Sequence, residues 1–396
     1  MIPAMIPVNE PLIGEKEIDY VMECLKTGWI SSSGRFIEEF EEKWASYCGM
    51  RHGIAVSNGT AALQVALGTL NLKPGDEVIM PTFTIISCAL AVIYNGAKPV
   101  LVDSEPRTWT MDVNKIEEKI TKRTKAIMPV HIYGHPCEMQ PIWDLAGKYH
   151  LKIIEDAAEA HGAEYRIPPP LMAGAKASPE RSRRGEGEWR KCGALGDLSC
   201  FSFYANKIIT TGEGGMVLTD NEEYAERARS LRNLCFKRER RFFHTELGNN
   251  FRLTNLQAAI GLAQIERIDE LVIKKRWIGE SYTERLKDIP GLTLPVEEPW
   301  ARNVYWMYGV IVDESTGLDA EIFAKRLKAE GVETRPFFLG MHEQPVFHEM
   351  GLFKGECHLV AERIAKQGFY LPSGLTLKET EIDQVCDAVR KIYKDI

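Results

Sequence analysis

The sequence IEDAAEAHG at residues 154–162 decides our interpretation of the fold. An apolar run ends there in acidic residues and then small ones, as a buried parallel strand does when it ends at a ligand-binding edge. A carboxylate at such an edge, here Asp156, can pair with a protonated ring nitrogen of a ligand. An acidic helix cap would give the same pattern, and both interpretations stay open for this segment alone.

On either side of this segment, short apolar runs alternate with amphipathic stretches between residues 53 and 220. This alternation is typical of strands joined by helical crossovers, and it predicts an α/β fold with a mostly parallel sheet. The intervening helices include Thr60–Leu70 and Ile142–Tyr149. The predicted strands are Gly53–Val56, Glu77–Met80, Pro99–Asp103, Lys125–Val130, Lys152–Glu155, Leu198–Phe203 and Gly215–Thr219.

The chain of 396 residues is long enough for a large domain and a smaller second one. We predict a large domain over residues 1–254, a long connecting helix over 255–290 and a small C-terminal α+β domain over 291–396. Residues 166–192 are rich in proline, glycine and arginine, and we interpret them as an exposed inserted loop. In the small domain, the predicted elements are strands Tyr308–Val312 and Glu333–Phe338 and a closing helix from Lys378.

A second segment with candidate function is SNGT at residues 57–60, which follows the first predicted strand and opens a helix. Small residues there let backbone N–H groups approach an anion at the positive end of the helix dipole. The segment is therefore a candidate phosphate site. The same residue types also cap helices without any ligand.

The third segment is SFYANK at residues 202–207, followed by the glycine-rich TTGEGG at 210–215. A lysine just past a buried strand, here Lys207, can be partly desolvated. Burial lowers an amine pKa from about 10.4 toward neutrality, and a neutral amine can form a Schiff base. Since most lysines are solvated, this assignment depends on the two other segments.

Composition narrows the classes of function. The net charge of −7 gives no basic field for nucleic acid, and the longest apolar run, Ile85–Tyr94, is shorter than the roughly 20 residues of a membrane helix. Nine cysteines are scattered without a CxxC pair, so neither a metal site nor a disulfide framework is expected. We expect a cytoplasmic protein that acts on small molecules.

Taken together, these segments resemble the DegT/DnrJ/EryC1/StrS family of sugar aminotransferases, and the resemblance runs from about Ile6 to the C-terminus. Further matching segments are GWISS at 28–32, NKIITTGEGG at 206–215, GNNFRLTN at 248–255 and RPFF at 335–338. The resemblance implies the aspartate aminotransferase-like architecture (fold type I) and pyridoxal 5'-phosphate (PLP) as the cofactor. The sequence departs from the family pattern at residues 166–192, where relatives usually have a short hairpin.

The resemblance also implies roles for individual residues. Lys207 is expected to be the catalytic residue that holds PLP covalently. Substrate contacts are expected from Trp29, Ser32, His161, Arg252 and Arg335, although His161 could equally be a packing residue and Arg252 an interface ion pair. The remaining cofactor contacts are expected to be Asn58, Gly59, Thr60 and Ser202 at the phosphate, Phe83 and Asp156 at the ring, Glu159 at the phenolic oxygen, and Asn250 from a neighbouring subunit.

The implied reaction is transfer of the amino group of L-glutamate to a nucleotide-linked keto-sugar, with GDP-4-keto-6-deoxy-D-mannose as the expected acceptor. The implied assembly is a homodimer, or a higher oligomer, with active sites at the subunit interface. Alternatives are a UDP- or dTDP-sugar aminotransferase, a sugar dehydratase with histidine in place of the lysine, and a non-catalytic regulatory homologue. An ordinary amino-acid aminotransferase would need paired arginines, for which only Arg252 and Arg335 are candidates.

Overall fold

The computed structural model describes residues 5–168, 187–237 and 240–394. Its strands are β1 His52–Val56, β2 Glu77–Pro81, β3 Lys98–Val102, β4 Thr124–Ile127, β5 Lys152–Asp156, β6 Glu164–Arg166, β7 Trp189–Lys191, β8 Leu198–Ser202, β9 Gly215–Thr219, β10 Leu292–Thr293, β11 Ala301–Arg302, β12 Tyr308–Val312, β13 Arg335–Pro336 and β14 Gly368–Leu371. Its α-helices are α1 Glu15–Thr27, α2 Arg35–Cys48, α3 Gly59–Thr69, α4 Ser87–Tyr94, α5 Met139–Tyr149, α6 Glu222–Arg232, α7 Asn255–Ile265, α8 Ile268–Leu286, α9 Ala320–Ala329, α10 Pro345–Glu349, α11 Leu359–Gln367 and α12 Glu379–Lys394.

A seven-stranded central sheet has the order β1-β9-β8-β5-β4-β2-β3. The strands from β8 to β3 pair in parallel, while β9 runs antiparallel to both of its neighbours. Strand β5 is buried over most of its length, as is usual for a parallel sheet covered by helices on both faces. The predicted α/β class and mostly parallel sheet are confirmed, and each of the seven predicted strands lies within three residues of an observed one.

A second sheet of four strands, β10-β12-β14-β13, lies in the C-terminal part of the chain. Its buried side chains form an apolar cluster with helices α8, α9 and α12, separate from the cluster around the central sheet. The predicted strand Glu333–Phe338 is shorter in the structure, where only Arg335–Pro336 pairs with β14. Proline has no N–H to extend the ladder there.

The helical pattern predicted over residues 255–290 forms two helices, α7 and α8. Helix α7 starts at a capping box in which Thr254 and Gln257 bond each other's backbone N–H groups. The helices are separated at Arg267, whose backbone is not helical (φ −128°, ψ 20°). Its guanidinium pairs with Glu17 and donates to the Leu12 carbonyl.

The segment predicted as an insertion is described only at its ends, and residues 169–186 lie outside the described part. The ends form an antiparallel pair, β6 with β7, to which β11 adds on the other side. No helix of the described residues is both long and apolar enough to cross a membrane.

All nine cysteines are free thiols. Eight of them are buried, and Cys357 alone is exposed, in the segment before α11. The nearby Val360 and Ala361 amides, in the first turn of α11, both donate to Asp103, just past the end of β3, and so the start of α11 is fixed to the central sheet.

Candidate active site

Three of the segments predicted to carry function lie at one edge of the central sheet. Asp156 ends β5, Ser202 ends β8, and the SNGT segment follows β1. These three strands point the same way, so their carboxyl ends meet at a single edge. In parallel α/β sheets this is where ligands bind.

The SNGT segment forms a cradle at the start of α3. The Asn58 side chain caps the helix by accepting from the Ala61 amide at 2.8 Å. A Cβ at Gly59 would lie 2.7 Å from the Ser202 Cβ, so a glycine is needed where helix and strand approach so closely. The Thr60 hydroxyl bonds that of Ser87 at 2.8 Å. The first amides of a helix lack intrahelical partners, and this cradle therefore suits a phosphate.

Asp156 is buried, with a relative exposure of 2%. One carboxylate oxygen accepts from the Ala158 amide at 3.0 Å and the other from the Cys88 thiol at 3.1 Å. Burial raises the pKa of this carboxyl, because the charged form is desolvated. A cationic ring nitrogen would offset that desolvation, so Asp156 fits the role of ring partner.

The Lys207 side chain is 9% exposed, and the charge of Asp156 acts on its amine. Its Nζ is 3.9 Å from a carboxylate oxygen of Glu159, which is also buried. Burial lowers the pKa of the Lys207 amine, although the charges of Glu159 and Asp156 act in the opposite direction. Burial likewise raises the pKa of Glu159 to about 7. A lysine in such surroundings can be present as the neutral nucleophile.

Two residues that the sequence did not single out complete this arrangement. The Tyr133 amide donates to the other carboxylate oxygen of Glu159 at 2.7 Å, and the Tyr133 backbone has a left-handed φ of 53°. The indole of Trp306 lies over the Lys207 amine, 3.6 Å from the ring centroid to Nζ. Neither shows a sequence signal, because both lie in irregular segments far from the motifs they contact.

Phe83 is 1% exposed and belongs to an aromatic cluster above the sheet edge. Its ring centroid lies 6.0 Å from that of Tyr133 and 5.7 Å from that of Phe337. Phe337 and Phe338 come from the RPFF segment, so the cluster joins the central sheet to the C-terminal part of the chain.

His161 is fully buried, at 0% exposure, and packs among the rings of Trp44, Phe201 and Phe203. Its Nε2 donates to the Ser202 carbonyl at 2.8 Å. Burial lowers the pKa of this imidazole to about 3, so the ring is neutral. The surroundings favour the packing interpretation of His161, with the ring fixing the end of β8, over direct contact with a substrate.

The other expected substrate residues are more exposed. Ser32 and Arg252 line one polar cavity of about 190 Å³ together with Arg229 and Arg232. Trp29 is 59% exposed, and Arg335 pairs at its surface position with Glu333 at 2.6 Å. Asn250 is also exposed, on a loop whose backbone pairs with Asn233. The structure thus groups Ser32 with Arg252, in a cavity whose lining includes neither Lys207 nor Asp156.

One buried group of residues has the composition of a metal site: His131, Glu155 and Cys192. The His131 Nε2 donates to Glu155 at 2.9 Å. The Glu155 carboxylate also accepts from the amides of Gly193, Leu195 and Gly196. With its oxygens occupied in this way, Glu155 holds the turn before β8 by hydrogen bonds, and no metal is needed to explain the group.

Sequence comparison agrees with the site. Residues 11–390 match the model of the DegT/DnrJ/EryC1/StrS aminotransferase family. The chain is 43% identical to the GDP-perosamine synthase of Caulobacter vibrioides, over 98% of both chains. It is 38% identical to the GDP-perosamine synthase of Escherichia coli O157:H7, over 98% of this chain and 99% of the relative.

Solved structures agree as well. Streptomyces venezuelae DesV in complex with a ketimine intermediate is 33% identical and superposes with a TM-score of 0.84, over 96% of this chain and 95% of DesV. TlmJ, an aminotransferase of Streptoalloteichus hindustanus, is 30% identical with a TM-score of 0.85, over 98% of both chains. The chain therefore belongs to the DegT/DnrJ/EryC1/StrS aminotransferase family, which confirms the resemblance, the fold and the PLP cofactor expected from its sequence.

Proposed function

We propose that this enzyme transfers the amino group of L-glutamate to GDP-4-keto-6-deoxy-D-mannose and so makes GDP-perosamine for a surface polysaccharide such as O-antigen. The observation that carries the reaction type is the buried Lys207 amine, which contacts Glu159 and Trp306 and is acted on by the charge of Asp156. The sugar is supported by the two relatives above and by a third GDP-perosamine synthase, from Vibrio cholerae, at 33% identity over 99% of this chain.

The described residues offer a candidate contact for each part of PLP. The cradle of Asn58, Gly59, Thr60 and Ser202 would hold the phosphate, and Asp156 would pair with the ring nitrogen. Glu159 would lie near the phenolic oxygen, and Phe83 would contact the ring. When bound, PLP supplies a carbon that carries the amino group and a ring that accepts electrons.

Lys207 would have two tasks in the proposed reaction. Its Nζ would hold the cofactor covalently and, when released by glutamate, would move the proton of the glutamate α-carbon. A neutral amine is needed for both tasks, and burial favours that form. Glu159 raises the proton affinity of the same amine, so the amine can also return the proton during amination of the sugar.

The presence of Lys207 argues against a dehydratase, in which a histidine would take this position, and the buried, preorganised carboxyls argue against an idle homologue. Sugars on other nucleotides form the stronger alternative. The chain is 35% identical to dTDP-3-amino-3,6-dideoxy-alpha-D-galactopyranose transaminase of Aneurinibacillus thermoaerophilus, over 95% of both chains.

The deciding experiment is incubation of the purified protein and glutamate with GDP-, UDP- and dTDP-linked 4-keto and 3-keto sugars. We expect 2-oxoglutarate and an aminated sugar in equal amounts, with GDP-4-keto-6-deoxy-D-mannose used fastest. Preference for a dTDP-sugar would overturn the proposed substrate, and absence of amino transfer to any of these sugars would overturn the proposed function.

The proposal includes a homodimer with sites at the subunit interface. Helix α1 supports it, because Ile18, Met22 and Leu25 form an exposed apolar face, to which the exposed Trp29 and Ile30 add.

The nine free cysteines are consistent with the reducing cytoplasm that we propose as the location of this enzyme.

Subunit mixing tests the interface. Lys207→Ala lacks the amine, and Asn250→Ala would lack the contact donated to the partner. Random mixing should restore about a quarter of the wild-type activity, because half the dimers would contain one complete site of two. A mixture no more active than the average of its two components would show that Asn250 does not act across an interface.

A further inference from the structure

The strongest unassigned feature of the site is the contact between Trp306 and the segment that carries Lys207. Trp306 is 3% exposed. Its indole N–H donates to the Asn206 carbonyl at 2.8 Å, which is the peptide oxygen immediately before Lys207. The same indole presents its face to the Lys207 amine at 3.6 Å. One side chain therefore contacts both the backbone and the amine of this lysine.

The backbone around Trp306 is tightly constrained. Tyr305, just before it, has a left-handed φ of 48°, which a bulky residue adopts only when its surroundings impose it. A Cβ at Gly134 would lie 2.9 Å from the Trp306 amide nitrogen, and one at Gly279 would lie 2.6 Å from the Tyr305 ring. Two glycines thus leave room for residues 305 and 306 against the sheet edge and against α8, so the indole is fixed in place.

A second contact reaches the same carbonyl from the N-terminal segment. The Asn9 side chain donates to the Asn206 oxygen at 3.2 Å. The preceding Val8 carbonyl accepts from the Ser373 amide, just past β14. The peptide before Lys207 is consequently held by two donors that are both tied to the C-terminal part of the chain.

We propose that Trp306 is a positioning residue that fixes the Lys207 amine at the sheet edge and stabilises its protonated form through the face of the indole. A cation over an indole face is attracted by the ring quadrupole, most strongly where water is excluded. The other ionisable groups facing this amine are the Glu159 and Asp156 carboxyls and the neutral His161. Trp306 and the two carboxyls would therefore favour the protonated amine, whereas burial disfavours it.

This inference rests on the proposed role of Lys207, but its test needs no sugar. In the full-length protein freed of cofactor, competitive labelling with acetic anhydride at a series of pH values, read by mass spectrometry, gives the pKa of the Lys207 amine. Trp306→Leu should lower that pKa by about one unit, since a desolvated cation–π contact is of that order. Trp306→Phe keeps a weaker π face and should shift it by about half as much.

Trp143→Phe is the matched control. Its indole N–H also donates to a backbone carbonyl at 2.8 Å, that of Leu195, within the buried core. This variant should leave the Lys207 titration unchanged. If Trp306→Leu does not fold, as judged by circular dichroism, Trp306→Phe decides alone.

An unchanged Lys207 pKa in the folded Trp306 variants, or an equal shift in Trp143→Phe, would overturn the proposal. If the wild-type protein aminates no sugar while the Trp306 shift is seen, the proposed function fails and this inference stands.

Discussion

The residues around Lys207 and two of the residues expected to meet the sugar, Trp29 and Arg335, are held in opposite ways. The Lys207, Glu159 and Asp156 side chains are nearly inaccessible to water, and each faces an opposing charge or hydrogen-bond donor. Trp29 and Arg335 lie at the surface, and the Arg335 guanidinium pairs with Glu333, two residues before it in sequence. Desolvation restricts which residues can occupy the first region and hardly restricts the second. The type of reaction is therefore visible in a single chain, while the choice of sugar depends on contacts with substrate.

The largest effect should come from Lys207→Ala, which removes the group that the buried region is built around. We expect amino transfer to fall at least about a thousandfold, since both covalent attachment and proton transfer are lost. In the wild-type holoenzyme, borohydride should attach the cofactor to the Lys207 peptide, as read by mass spectrometry. Lys275, a buried lysine of the described residues, serves as an internal control and should stay unmodified, because its amine donates to the Ser373 carbonyl. Label on Lys275, or wild-type turnover by Lys207→Ala, would contradict the assignment of Lys207 as the residue that holds the cofactor.

Asp156→Asn should act in opposite directions with and without cofactor. With PLP bound, loss of the ring partner should weaken cofactor affinity by about 3 kcal/mol, or roughly a hundredfold. Without PLP, the variant should melt at a higher temperature, because a carboxyl whose charged form is disfavoured by burial is removed. Cofactor titration and thermal unfolding measure the two effects.

Asp103→Asn is the control for Asp156. Its oxygens accept from backbone amides, and the substitution should lower the melting temperature in both states. A higher melting temperature for both variants, or for neither, would contradict the view that Asp156 is a buried carboxyl that lacks a cationic partner until the cofactor binds.

His161 should make the buried region sensitive to acid. Because its pKa is lowered to about 3 in the folded protein, the unfolded chain binds a proton between pH 6.5 and pH 3 that the folded chain does not. Its contribution is complete above pH 6.5 and should fall by about 2 kcal/mol between pH 6.5 and pH 5. His161→Gln should remove this loss of stability between pH 6.5 and pH 5, measured as the change of melting temperature with pH.

The exposed His244→Gln is the control for this slope and should run parallel to the wild type. If the His161→Gln curve is also parallel, the imidazole takes up its proton freely and the buried region is less closed than the structure indicates.

The smallest effect should follow Arg335→Ala. Its ion pair with Glu333 is exposed, and such pairs contribute about 1 kcal/mol or less to the free energy of unfolding. Urea unfolding should show a loss like that of Lys325→Ala, which breaks the exposed pair with Glu321. A loss above about 2 kcal/mol would erase the distinction between the two regions.

The sequence predicts the buried region well because chemistry and local pattern coincide there. Asp156 and Lys207 follow apolar strands, and the parallel sheet brings the ends of such strands together without further information. Trp306 could not be predicted, because it contacts the Asn206 carbonyl from 100 residues away and depends on the left-handed backbone of Tyr305. The break between α7 and α8 could not be predicted for a similar reason, since Arg267 is not a helix-breaking residue type and its partners, Glu17 and Leu12, lie near the N-terminus of the chain.

Cys357 gives this protein a natural attachment point for a spectroscopic probe. Because the eight other thiols are buried, a maleimide dye should react at this residue without any prior mutagenesis. The dye would lie two residues before α11, whose first turn is hydrogen-bonded to Asp103 after β3. Fluorescence anisotropy at that position could then follow, in real time and in the unaltered chain, whether this junction loosens when glutamate or a nucleotide sugar is added.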